Sequence, residues 1–238
     1  MKTKDQAILL RKINYSETSL ILTLLCRQSG LRTFIFQGGK KKHGNILQPL
    51  TLLEIEFYER PGSDLAKISA ASPEFVFTSI HSHPYKSATA FYLAELLYNV
   101  TKQESEQEED FFLFLAAEIH ELDLAPFEAN YPLWFTTELT KWIGIEPQVN
   151  SSDAGFFYPD EGIIADRAES TSGNYETGEH IRIVSRFFSA PKDIVLQYSL
   201  NGKIRNRLLR LMLRYYAIHI NGFHFPKSVE VLEEVFND

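Results

Sequence analysis

Five short runs of aliphatic, threonine and aromatic residues crowd into the first 80 positions, and the pattern then stops. The runs are Ala7–Leu10, Leu20–Leu25, Leu31–Phe36, Leu50–Tyr58 and Leu65–Val76. Turn chemistry separates them at Asn14-Tyr15-Ser16, Ser29-Gly30 and Pro61-Gly62-Ser63-Asp64. Within Leu53-Glu54-Ile55-Glu56-Phe57 apolar and polar residues alternate, as a strand with one wet face requires. Five short strands in about 75 residues suit a small closed barrel, and the OB-fold is the common five-stranded one.

From Tyr85 the period becomes helical. Ala88, Phe91, Tyr92, Leu96 and Val100 share a spacing entered through Pro84. An acidic linker over 101–110 carries Glu104, Glu106, Glu108, Glu109 and Asp110. Helices are then predicted over Phe111–Leu122 and Tyr131–Ile143, the second stopped by Gly144. Residues 147–190 are rich in Gly, Ser, Asn, Asp and Thr and predict a loop-rich subdomain with a small hairpin. Gly202–Ile220 is a strong helix, with Leu208, Leu211, Met212, Tyr215 and Tyr216 on one stripe, and Pro226 opens a last short one. The predicted class is α+β and multidomain: a barrel over 1–80, a helical domain over 81–146 and 191–238, and the loop-rich insertion 147–190.

Composition narrows the class further. A 44% hydrophobic and 23% charged chain is not globally disordered. No run approaches the roughly 20 apolar residues that a membrane span needs, and the N-terminus matches a signal peptide poorly. A single cysteine, Cys26, rules out an intramolecular disulfide and a cysteine-cluster zinc site. The expectation is a soluble, cytoplasmic protein. Its net charge of −7 conceals an uneven distribution. Residues 1–80 hold 11 Lys and Arg against 7 Asp and Glu; residues 81–180 hold 4 against 19; residues 181–238 hold 9 against 5. The ends are basic and the middle acidic, which matters for steering a polyanion.

Two clusters concentrate the positive charge. Gln37-Gly38-Gly39-Lys40-Lys41-Lys42-His43-Gly44-Asn45 lies between two predicted strands. Glycines let the backbone approach a phosphate closely, and lysines neutralise it. A lysine triplet in a hairpin also serves as a solubility device, but Arg11, Lys12, Arg27 and Arg32 lie in the same basic segment. On the final long helix Lys203, Arg207, Arg210 and Arg214 step by four, three and four and share one face. Such cations repel one another unless something negative lies near, and either phosphate or the acidic middle segment would serve.

Little supports an enzyme. Neither Gly39-Lys40 nor Gly202-Lys203 has the upstream glycine and following Ser or Thr of a nucleotide-binding loop. His81-Ser82-His83 lacks a third ligand at helical spacing and reads as a linker. Asp160, Glu161 and Asp166 lack calcium-loop spacing. Cys26 ends a leucine-rich strand, so a buried structural thiol is expected. No cofactor, no metal and no catalytic residue is expected.

The linear order of motifs resembles the RecO family almost end to end. Tyr15-Ser16-Glu17-Thr18-Ser19-Leu20, Ser29-Gly30-Leu31-Arg32, Gly38-Gly39-Lys40-Lys41-Lys42 and Leu47-Gln48-Pro49-Leu50-Thr51 are similar to its amino-terminal OB domain. Phe135–Leu139 with Trp142-Ile143-Gly144-Ile145, and Gly222–Ser228, are similar to its later helices. The resemblance implies a recombination mediator in DNA repair. Such a protein binds single- and double-stranded DNA, anneals strands and loads recombinase with RecR on strands coated by single-strand-binding protein. The DNA-binding residues would be Arg11, Lys12, Arg32, Lys40, Lys41, Lys42, His43, Lys203, Arg207, Arg210 and Arg214, with bases stacking on Phe34, Phe36 or Tyr58. Two departures stand out. Many relatives carry a four-cysteine zinc site in the segment matching 147–190, which has no cysteine here; and Tyr131-Pro132-Leu133-Trp134 lacks the Arg that receives the acidic tail of single-strand-binding protein. The competing reading is a barrel that binds only protein partners.

Overall fold

The computed structural model describes residues 2–40, 46–59, 65–102, 108–168 and 174–236. Five strands, β1 (Lys2–Asn14), β2 (Leu20–Cys26), β3 (Gly30–Phe36), β4 (Leu52–Tyr58) and β5 (Ala66–Pro73), close into a barrel of order β1-β2-β3-β5-β4. Every pairing is antiparallel except that of β3 with β5. Alternate side chains fill the interior, as a period of two dictates: Ala7 and Leu9, Leu20, Leu22, Leu24 and Cys26, Phe34 and Phe36, Leu53, Ile55 and Phe57, Ala66 and Ile68. Phe34 and Phe57 meet edge to face at 5.1 Å near the centre. Each fully buried Leu or Phe of this set stabilises the barrel by about 1.5–3 kcal/mol.

The first strand is longer than its apolar run, because Lys2, Lys4 and Gln6 pair with β4 while facing outward. Over Ala7–Leu10 both faces are buried, Ile8 and Leu10 as well as Ala7 and Leu9. Helix α1 (Pro84–Thr101) packs on this strand. A strand covered on both sides reads as a continuous apolar stretch rather than an alternating one, which explains the Ala-Ile-Leu-Leu sequence.

Helices α2 (Glu109–Leu124), α3 (Tyr131–Trp142), α4 (Glu179–Ser189), α5 (Lys192–Leu196), α6 (Gly202–His219) and α7 (Ser228–Val235) follow. Between α3 and α4 four short strands, β6 (Gln148–Val149), β7 (Phe156–Tyr158), β8 (Ile163–Ala165) and β9 (Glu176–Thr177), form a small sheet of order β6-β8-β7-β9. The expected hairpin is its β7–β8 pair; α4 was not expected. The chain divides into two compact units, Met1–Pro126 with Pro226–Ser228, and Phe127–Phe225 with Val229–Asp238. The first therefore holds α1 and α2 together with the barrel, across the 80/81 boundary drawn from the sequence.

In the first unit the segment after β5 is fastened by Asp123, which is almost fully buried. Its carboxylate accepts from the backbone N–H groups of Thr78, Ser79 and Ile80 at 2.8 Å each and from the Thr78 hydroxyl at 2.9 Å. Lys86, also buried, donates to the carbonyls of Asp123 and Ala125 at 2.9 and 2.7 Å. In the second unit the α6 stripe Leu208, Leu211, Met212, Tyr215 and Tyr216 is buried as expected. The Tyr215 hydroxyl donates to the Ile145 carbonyl at 2.7 Å and that of Tyr216 to Thr136 at 2.8 Å. Asn201 caps the helix, accepting from Ile204 N–H at 2.9 Å.

Candidate nucleic-acid interface

The paired register traces one row around the outside of the barrel. Lys2 pairs with Tyr58, Tyr58 with Lys67, Lys67 with Ile35, Ile35 with Ile21, and Ile21 with Ile13. The walk begins at position 2 of β1 and returns to it at position 13, a stagger of 11 that reflects the strand tilt a closed barrel requires. These residues face away from the core because their strand neighbours Leu20, Leu22, Phe34, Phe36, Phe57, Ala66 and Ile68 face into it. Tyr58 is 44% exposed and Ile13 41%.

Beyond β3 the chain turns at Gly38, whose φ of +74° favours glycine. A Cβ on Gly39 would lie 2.5 Å from the Phe36 ring, so only glycine lets this turn close over the barrel end. The Lys40 N–H donates to the Thr18 carbonyl at 3.2 Å, which leaves its side chain exposed beside the β1–β2 turn. Lys41, Lys42 and His43 lie outside the described residues. The loop returns through Leu47, buried in the barrel core, and Leu50, which holds a left-handed φ of 66°. Leu50 N–H donates to Leu9 at 2.8 Å and Leu9 N–H to Thr51 at 3.0 Å, so the loop is stitched to β1.

The expected cations differ in what they touch. Arg11 is exposed, its guanidinium 5.7 Å from the Tyr98 ring. Lys12 donates to the Leu47 carbonyl at 2.5 Å, and partial burial lowers its ammonium below the usual lysine range. Arg32 forms an ion pair with Glu59 and lies over the core rings Phe34 and Phe57 at 5.8 and 5.5 Å. Lys40 and Lys67 have no carboxylate partner among the described residues. Lys67 was not among the expected contacts, although the alternation Ala66-Lys67-Ile68 turns it outward. Phe34 and Phe36 are core residues at 0% and 5% exposure, which removes both as stacking platforms and leaves Tyr58.

On α6 two of the four expected cations meet carboxylates. Arg210 grips Glu233 through two bonds of 2.6 Å, and Arg214 reaches Glu176 at 3.0 Å. Arg207 lies 3.2 Å from His180 Nε2; burial and this guanidinium hold the imidazole below the usual histidine range. Lys203 is exposed. Arg205, off the predicted face, points inward to Asn130 Oδ1 and the Leu200 carbonyl at 3.0 and 2.9 Å.

Among the described residues no three His, Cys, Asp or Glu are placed to hold a metal ion. Arg182 and Arg186 instead bracket Asp153 at 2.6 and 2.9 Å, and Thr177 Oγ1 donates to the Gly155 carbonyl at 2.8 Å. Cys26 is buried, and burial drives its thiol far above the usual range. Among the described residues no helix is long and apolar enough to cross a membrane.

Comparison with known proteins agrees with this architecture. The family model "Recombination protein O N terminal" matches residues 1–77 and "Recombination protein O C terminal" matches residues 81–228. The "DNA repair protein RecO" of Flavobacterium psychrophilum is 32% identical over the whole of both chains. That of Christiangramia forsetii is 32% identical over 99% of this chain and all of its own, and that of Bacteroides fragilis 29% over the whole of both. On these matches, which cover both the barrel and the helical part, the chain belongs to the RecO family.

Proposed function

We propose that this protein is a non-catalytic mediator of DNA repair that binds single- and double-stranded DNA through its barrel and promotes strand annealing. Together with RecR it would load recombinase onto strands coated by single-strand-binding protein. The observation that carries the reading is a set of cations on the outside and one end of the barrel, Arg11, Lys40 and Lys67, that have no carboxylate partner among the described residues, in a chain whose total charge is negative. The names of the relatives support the repair role. Annealing requires no bond chemistry; it requires two strands held close with their charge screened.

The test is oligonucleotide binding followed by anisotropy across a salt series, repeated with RecR and single-strand-binding protein. Binding through several phosphates weakens with a log–log slope of about −0.7 per phosphate on single strands. The triple variant Lys40→Glu, Lys41→Glu, Lys42→Glu should lose most of its affinity while its thermal midpoint stays within a degree or two; unaltered binding would remove this loop from the site. A second reading, a barrel that engages only proteins, is favoured by the carboxylates facing Arg32, Arg210 and Arg214. It predicts no salt-dependent binding to an unstructured oligonucleotide.

A further inference from the structure

We propose that the outward row Lys2–Tyr58–Lys67 is a stacking platform for an unpaired base of single-stranded DNA, with the lysines on either side of the ring contacting the flanking phosphates. The inference rests on the nucleic-acid reading of the barrel and deepens it by naming the residue that distinguishes single strands from duplex.

Tyr58 ends β4 beside the fully buried Phe57, yet its own ring stands outward at 44% exposure. Among the described residues it makes no ring contact and no side-chain hydrogen bond. Cross-strand neighbours stand about 5 Å apart, so Lys2 and Lys67 flank the ring on both sides. Lys67 has no carboxylate partner among the described residues. Lys2 and Lys4 share the single carboxylate of Glu56, leaving one positive charge of that pair uncompensated. Further along the row Ile35, Ile21 and the 41%-exposed Ile13 continue as an apolar floor.

An exposed ring bracketed by cations and prolonged by aliphatic surface matches a ligand that alternates planar apolar groups with negative charge. That is an unpaired nucleic-acid strand. In duplex DNA the base faces are already stacked, so a duplex would engage the lysines and not the ring. An acidic peptide would likewise need the lysines alone.

The experiment compares Tyr58→Ala, Tyr58→Phe and Lys67→Glu with the unaltered protein on an oligothymidylate, an abasic strand of equal length and a duplex, at one salt concentration. Tyr58→Ala should weaken oligothymidylate binding about tenfold, within the range for one stacked base, and leave the duplex unchanged. Tyr58→Phe should bind as the parent does, and Lys67→Glu should weaken both ligands. The unaltered protein should itself bind the abasic strand more weakly, a readout that stands even if Tyr58→Ala fails to fold. Equal binding of thymidylate and abasic strands by a protein that binds both, or full binding by a folded Tyr58→Ala, overturns the platform while leaving DNA binding intact. Failure to bind any oligonucleotide at low salt overturns both.

Discussion

Side chains of one type do opposite work in this molecule, and the partner decides which. Lys86 is buried because three acceptors meet its ammonium: the carbonyls of Asp123 and Ala125, and Ser79 Oγ at 2.8 Å. Lys12 ties a loop to β1, whereas the exposed Lys40 and the half-buried Lys67 have no carboxylate partner among the described residues. Sequence context distinguishes them only in part. The outward position of Lys67 is readable from strand alternation; the engagement of Lys12 and Arg32 is not, because Leu47 and Glu59 lie 35 and 27 residues away. Burial pushes the Asp123 carboxyl up, but hydrogen bonds from Thr78, Ser79 and Ile80 outweigh it and hold it at about 2, below the ordinary aspartate value of 3.8. Its stabilisation is therefore full above about pH 5 and lost progressively as pH falls through 3.8 and then through the folded value of about 2. Asp123→Ala strands three backbone donors and should cost about 3 kcal/mol, seen as a lowered urea midpoint at pH 7. The difference from the parent should shrink below pH 3.

Among the elements, helix α6 behaves as its stripe requires on the buried side and departs from expectation on the other. The shared face of Lys203, Arg207, Arg210 and Arg214 was legible; that Glu233 and Glu176 would neutralise two of its members was not, because those contacts depend on tertiary structure. If this face meets DNA, Glu233→Gln releases Arg210 and should raise oligonucleotide affinity and steepen the salt slope by about 0.7. An unchanged slope would assign the Arg210 fork to holding α7. The strands of the barrel were legible because each run is short, β-prone and closed by turn residues. Helix α4 was not, although Ile181, Val184 and Phe188 recur at helical spacing and are buried. It begins directly after a glycine- and serine-rich stretch, whose composition masked eleven residues of clear periodicity.

At the scale of the whole molecule, the negative total and the proposed polyanion ligand are reconciled by local pairing: several acids neutralise specific bases, while Arg11, Lys40 and Lys67 on the barrel have no carboxylate partner among the described residues. That barrel has one weak place. β3 and β5 join through three residue pairs in parallel, against seven antiparallel pairs between β2 and β3, and parallel pairing is slightly less stable per residue. Were this join to part, two unsatisfied strand edges would face solvent, the arrangement that invites association with other chains. A strand of DNA lying on Ile35, Lys67 and Tyr58 would cross that join. Amides of Phe34–Phe36 and Ala66–Ile68 should then exchange more slowly with deuterium when an oligonucleotide is bound, measurable by mass spectrometry; equal exchange would place the ligand elsewhere. The ligand would thus act as a suture across the cylinder's weakest line, so that the protein held on DNA resists clumping better than the protein alone.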